Sequence, residues 1–112
     1  MEFKHEAIFC IVNSGYSDKV METAKKFGAR GGTVIGGRGT ASKEAETFFG
    51  ITVQPEKEIV MILVPKKHKD GILGALYDEV GLDSAGQGIA FSLPVAGVVG
   101  LPQTQPQTDE KA

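Results

Sequence analysis

Six of the fifteen glycines and both arginines of this 112-residue chain fall in one stretch, Gly28-Ala29-Arg30-Gly31-Gly32-Thr33-Val34-Ile35-Gly36-Gly37-Arg38-Gly39-Thr40-Ala41-Ser42. Glycine tolerates positive φ and lets a ligand or another chain approach the backbone, while arginine offers a planar cationic fork that matches phosphate or carboxylate. This is the composition of an anion site. A second cluster, Gly86-Gln87-Gly88, can supply backbone amides of the same kind, and two such loops meeting across a subunit boundary would form a phosphate cradle. Two tight turns would use the same glycines, and the residues alone leave both readings open.

Other chemistries find less support. His5 and His68 are flanked by charged residues, and their spacing to Cys10 or to carboxylates matches no metal pattern, so both read as solvated histidines. No serine is framed as a nucleophile elbow, and Glu44, Glu46, Glu56 and Glu58 read as the solvated rim of a loop. No Gly-Lys-Ser or Gly-Lys-Thr follows the glycines, and they do not precede a helix, which sets aside a Walker loop and a dinucleotide fingerprint. Cys10, the single cysteine, sits inside an apolar run and reads as a buried, reduced thiol.

The elements that must position these residues can be read in order. Ala7-Ile8-Phe9-Cys10-Ile11-Val12 is apolar at every position and stops at the turn cluster Asn13-Ser14-Gly15, which predicts a strand. A helix follows with Ser17 as its expected N-cap, Asp18 in the positive first turn, Val20, Ala24 and Phe27 on one face, and Gly28 as its end. Lys25 and Lys26 fall near its negative end. Residues 30–38 predict a second strand, which its glycines suit to an edge. Residues 39–54 read as a long connection, and long connections in compact domains are usually functional. A third strand is expected over 57–64, ended by Pro65, then a helix from 67 or 68 to 80 that buries Ile72, Leu73, Leu76 and Val80. The last strand is expected over 89–93, and Pro94 places it at an edge.

Strand, helix, strand, strand, helix, strand is the βαββαβ order of an α+β, ferredoxin-like split βαβ fold: a four-stranded antiparallel sheet with two helices on one face. The unbroken apolar runs place the first and third strands at the centre. Both runs are apolar on both faces, yet two helices cover only one, so the second face requires another cover. Homo-oligomerisation, with sheets packed together, is the simplest.

One domain, residues 1–101, accounts for the patterned chain, and it is large enough to bury roughly two-thirds of its unfolded surface. Residues 102–112 are almost devoid of apolar side chains and read as a flexible tail. The formal net charge of -2 argues against a nucleic-acid partner. A charged N-terminus and short apolar runs imply neither a signal peptide nor membrane insertion, and the expected location is cytoplasmic.

Apart from the tail, the chain resembles the P-II nitrogen-regulatory signal-transduction proteins and their P-II-like relatives. The resemblance is carried by Gly31-Gly32-Thr33-Val34, by Arg38-Gly39 ahead of the long connection, by Ile62-Leu63-Val64-Pro65, by Gly86-Gln87-Gly88-Ile89-Ala90-Phe91 and by Val95-Ala96-Gly97-Val98-Val99. It implies a homotrimer with an adenine nucleotide (AMP, ADP or ATP) in clefts between subunits, no metal, and no catalysis. A signalling loop at about 40–55 would report the nucleotide to a protein target such as a transporter or metabolic enzyme. The resemblance puts Gly31, Gly32 and Thr33 near the adenine, Gly39, Thr40, Ala41 and Ser42 at the base of the loop, and Gly86, Gln87 and Gly88 on the phosphates, with Leu63 and Arg38 also counted among the nucleotide-binding residues.

The departures are as specific. Ile89 stands where the family has a lysine, Gly97 and Gly100 where it has arginines, and Arg30, Arg38, Lys66 or Lys67 could in part replace those cations. The loop looks short and has no tyrosine to be nucleotidylated, since Tyr16 and Tyr77 fall in or beside helices. Its apolar feature is Phe48-Phe49, which would either dock on a partner or pack on the trimer. Two other classes compete: a small phosphate-handling enzyme with Arg30 or Arg38 as its clamp, and a structural or metal-binding trimer like the divalent-cation tolerance proteins.

Overall fold

A computed structural model of the chain describes residues 3–40, 46–48, 51–53, 56–83 and 87–101. Four strands, β1 (His5–Asn13), β2 (Thr33–Arg38), β5 (Glu56–Pro65) and β6 (Gly88–Val95), form one antiparallel sheet in the order β2-β5-β1-β6. The two unbroken apolar strands are the inner pair, and the glycine-rich and proline-containing strands are the edges. Pro94 lies within β6, where the edge leaves no outer neighbour needing its missing amide. The expected ferredoxin-like α+β sheet is therefore present.

Helices α1 (Ser17–Lys26) and α2 (Lys66–Ala75) bury Val20, Ala24, Ile72 and Ala75. These meet one face of the sheet through Ile8, Cys10 and Val12 of β1 and Val60, Ile62 and Val64 of β5, all essentially sealed from solvent. The predicted second helix is two pieces: α2 starts at Lys66, and Leu76–Val80 forms a π-helical turn that buries Leu76 and Val80 before Gly81, at φ 90°, ends it. The connection expected over 39–54 is also not plain loop. It holds two short strands, β3 (Glu46–Phe48) and β4 (Ile51–Val53), which pair antiparallel as a separate sheet. Phe48 is in β3, whereas Phe49 and the 102–112 segment lie outside the described residues.

The second face of the main sheet is apolar, as the sequence demands. Phe9 sits opposite both Met61 and Phe91, and Ile11 opposite Ile59 and Ile89, so one side-chain row crosses three strands. The Phe9 and Phe91 rings stack with centroids 5.4 Å apart and planes 12° from parallel. Within one chain this face stays open: Ile89 is 57%, Leu93 51%, Ile35 44% and Phe91 41% exposed.

Candidate functional site

The glycine and arginine stretch serves two ends of the sheet, and the structure separates its parts. At the end where β1 begins and β5 closes, a broad cleft of about 1380 Å³ is lined by Arg30, Gly31, Gly32 and Thr33, by Ala7, Phe9, Met61 and Leu63 of the inner strands, and by Lys66, Lys67 and His68 of α2. Lys4 and Leu101 line it as well. Two of its glycines are needed for close packing. A Cβ on Gly32 would lie 2.8 Å from the Met61 carbonyl oxygen and 3.0 Å from the Met21 sulfur. One on Gly28, at φ 116°, would strike the His68 ring at 2.7 Å. Gly31 has nothing within 4 Å of its Cβ direction, so there the backbone faces open space a ligand can occupy.

The histidines differ from expectation. His5 is buried at the start of β1, and His68 is half-buried with its ring against Gly28; neither is a solvated side chain. Both belong to this cleft. The His68 ring meets Gly28 on another element, a contact that flanking residues do not reveal.

At the opposite end of the sheet a smaller recess, about 500 Å³, is lined by Ser14, Gly36, Gly37, Arg38, Glu56, Lys57 and Glu58. Here Lys57 and Glu58 serve the fold. Lys57 Nζ donates to Asn13 Oδ1 at 2.7 Å, and Arg38 stands opposite Glu56 in the β2–β5 pair. Glu58 Oε1 accepts from the Gly15 amide at 3.1 Å and the Ser17 amide at 3.2 Å. The expected Ser17 cap is thereby corrected: the N-cap residue is Tyr16, it makes no side-chain cap bond, and a carboxylate 41 residues away in sequence satisfies the helix start instead. The Gly15 amide and the Ser17 hydroxyl hold the Glu58 carboxyl below its ordinary value. Glu58 is thus a capping residue and not a solvated loop rim.

Gly88 opens β6 opposite Val12, at this same end. Its backbone is tightly enclosed: a Cβ would fall 2.5 Å from the Ile11 carbonyl oxygen and 3.0 Å from Val12 Cγ1. Gln87 Nε2 donates to the Val80 carbonyl at 3.4 Å and so tethers the π turn. Gly86, Ala41 and Ser42 lie outside the described residues, while Gly39 is half-buried and Thr40 exposed.

Of the residues singled out in the sequence, Gly31, Gly32, Thr33 and Leu63 are therefore brought together, with Arg30, Lys66 and Lys67 beside them. Arg38, Gln87 and Gly88 are not. The six residues of β2 alone extend roughly 17 Å, so Arg38 and Thr33 cannot hold one small group in a single copy. Lys4 and His68 were missed as cleft residues, and the basic opening of α2 was the signal available for finding them. Cys10 is fully buried, and burial pushes its thiol up to about 11, which keeps it protonated and inert at neutral pH. Among the described residues no group of three His, Cys, Asp or Glu side chains is placed to hold a metal ion, and no helix is long and apolar enough to cross a membrane.

No protein-family model and no curated protein sequence matches the chain. Solved structures do. The chain is similar to Arabidopsis thaliana PII bound to citrate, with a TM-score of 0.67 and 24% identity over 97% of this chain and 90% of that one. It is also similar to B. subtilis GlnK in complex with ATP, with a TM-score of 0.64 and 15% identity over 83% of this chain and 85% of that one. The chain has the fold of the PII proteins.

Proposed function

We propose that this chain is a P-II-like, non-enzymatic signal regulator. It acts as a homotrimer that takes an adenine nucleotide (AMP, ADP or ATP) into clefts between subunits and reports it to a partner protein through residues 40–55. The observation that carries this reading is the division of the candidate residues between the two ends of a sheet whose second face is open and apolar. In one copy the Thr33 cleft and the Gly88 end lie on opposite edges of the sheet. Copies packed on the apolar face would set one copy's cleft beside the next copy's Arg38 and Gly88, and each side chain the size of Phe91 or Leu93 so buried is worth about 1.5–3 kcal/mol.

The two PII-fold structures support the ligand class, since one carries ATP and the other citrate. Regulation requires that the nucleotide bind one shape of the 40–55 segment more tightly than another. Moving that equilibrium from mostly off to mostly on takes about 5.5 kcal/mol of differential affinity.

A thermal-shift panel of AMP, ADP, ATP, cyclic nucleotides, 2-oxoglutarate and citrate, run beside light scattering for mass, tests the reading. The expected result is a trimer mass and stabilisation by at least one adenine nucleotide, about 2.7 kcal/mol at a hundredfold excess over Kd. A monomer that no nucleotide stabilises overturns it.

A further inference from the structure

The geometry points to the π-helical turn Leu76–Val80 as a switch, with Gln87 as its latch and Lys26 of α1 as its far contact. When Gln87 lets go of the Val80 carbonyl, the turn tightens to the α register and Glu79 leaves Lys26. The inference rests on the nucleotide reading above only for what moves Gln87, and it assigns how a ligand there is felt at α1.

The first observation is that the core does not choose the register of the turn. Leu76 and Val80 are its buried residues and stand four apart. Four residues make close to one turn whether the backbone bonds run from i to i+4 or to i+5, so both side chains stay on the core in either register. The wide turn is much the rarer of the two and frequently marks a functional site. Something outside the core must therefore hold it.

The second observation is what holds it. Glu79 Oε1 accepts from Lys26 Nζ at 2.7 Å, and the Val80 carbonyl accepts from Gln87 Nε2 at 3.4 Å. Both ties reach in from beyond the turn, and both are weak. The side chains of the ion pair are 58% and 35% exposed, the kind of pair that contributes little in water, and 3.4 Å is longer than an ordinary N–H···O bond. Tyr77, Asp78 and Glu79 are exposed, so the outer side of the turn can rotate without displacing a packed neighbour.

The third observation is where movement enters. Gly88 is pinned, because it pairs with Val12 in the sheet and a Cβ there would fall 2.5 Å from the Ile11 carbonyl oxygen. Gln87 is the next residue outward from this fixed point. Its Cγ lies 3.8 Å from the Cβ position of Gly81, the left-handed residue that ends the turn. A ligand settling on the amides of Gln87 and Gly88 cannot displace Gly88, so the displacement falls on Gln87 and the latch. The ligand moves the turn by as much as it prefers one position of Gln87 over the other. Release is felt at α1 because Lys26 is its last residue, and Gly28, two residues on, lines the large cleft.

Backbone NMR shifts of the full chain, Gln87→Ala, Lys26→Gln and the double variant test the switch, with denaturant unfolding to confirm that each is folded. Gln87→Met, which keeps the bulk and removes the donor, serves if Gln87→Ala is not. The expected result is that Tyr77 and Asp78, which carry neither substitution, shift along one line in both single variants and furthest in the double. Gln87→Ala should also move the amides of residues 26–28, and Lys26→Gln the amide of Gln87. Shifts confined to residues 79–81 in Gln87→Ala, or a turn that Lys26→Gln leaves in place, make Gln87 a helix cap alone and overturn the inference. ADP and ATP added to the parent chain should move Tyr77 and Asp78 along the same line. A nucleotide that raises the melting temperature yet leaves those two signals unmoved overturns the inference and leaves the nucleotide reading standing. A chain that no nucleotide stabilises, but in which Gln87→Ala still moves residues 26–28, supports the switch and overturns the nucleotide reading.

Discussion

The two helix N-termini of this chain lie at opposite ends of one sheet and are treated in opposite ways. At the start of α1, a carboxylate from β5 reaches across to hold the amides of Gly15 and Ser17, and Asp18 adds a second negative charge. At the start of α2 the first turn holds Lys66, Lys67 and His68 and no acid, and a cleft of about 1380 Å³ opens beside them. At the first end the charges of Glu58 and Lys57 are used by the fold. At the second the first-turn lysines oppose the helix end, at a cost in stability.

The largest effect that would sharpen this contrast comes from its glycines. At the α1 end, Gly88 is held against the Ile11 carbonyl, and backbone in the middle of a sheet cannot yield. Gly88→Ala should cost about 3 kcal/mol, near the top of the range for overpacking, by denaturant unfolding. At the α2 end, Gly28→Ala meets a histidine ring that can turn away, so its cost should be mainly that of a left-handed backbone, about 1–2 kcal/mol. Equal costs at the two sites would mean that the α2 end is as rigid as the α1 end, against its role as an open cleft.

A smaller and more telling effect follows from giving α2 the charges that α1 already has. Lys66→Glu with Lys67→Glu should raise stability by about 1 kcal/mol, since acids at a helix start contribute about 0.3–1 kcal/mol each. A double variant that is less stable than the parent chain would show that these lysines serve the fold, and the contrast between the two ends would collapse.

What was legible in the sequence follows the range of the interactions involved. The inner strands were readable because Ile8 to Val12 and Ile59 to Val64 are apolar without interruption, and the edges because Gly36, Gly37 and Pro94 weaken a strand from within. The open apolar face followed by counting: two helices cannot cover both sides of such strands. The α2 cleft was half legible, since Gly31 to Thr33 are contiguous, but Lys4 and His68 join them only through the closing of β1 onto β5 and the packing of α2 on Gly28. Arg30 and Arg38 look like one cluster in the sequence, yet an extended strand carries them to opposite ends. The Glu58 cap joins residues 41 and 43 positions apart and replaces the local one that Ser17 advertised. The π turn left no trace in the apolar spacing, because Leu76 and Val80 are four residues apart as in an ordinary helix.

The smallest expected effect isolates that cap through pH. The Glu58 carboxyl is held below its ordinary value, near 4.5, first by the Gly15 amide and then by the Ser17 hydroxyl and amide, with burial opposing them. A carboxylate whose folded value is depressed binds fewer protons when folded than when unfolded. Its contribution to stability is therefore present at neutral pH, begins to fade as pH falls past its unfolded value, and is gone below its folded one. Denaturation midpoints at pH 7 and across the acid range should show Glu58→Gln less stable than the parent chain at pH 7. The two should converge as acid protonates the parent carboxylate. The group is partly open to solvent, so the difference should be modest and reduced by salt. If the parent and variant curves run parallel from neutral pH into acid, Glu58 does not cap α1 as a carboxylate, and the first of the two helix starts would have no more use for its charge than the second.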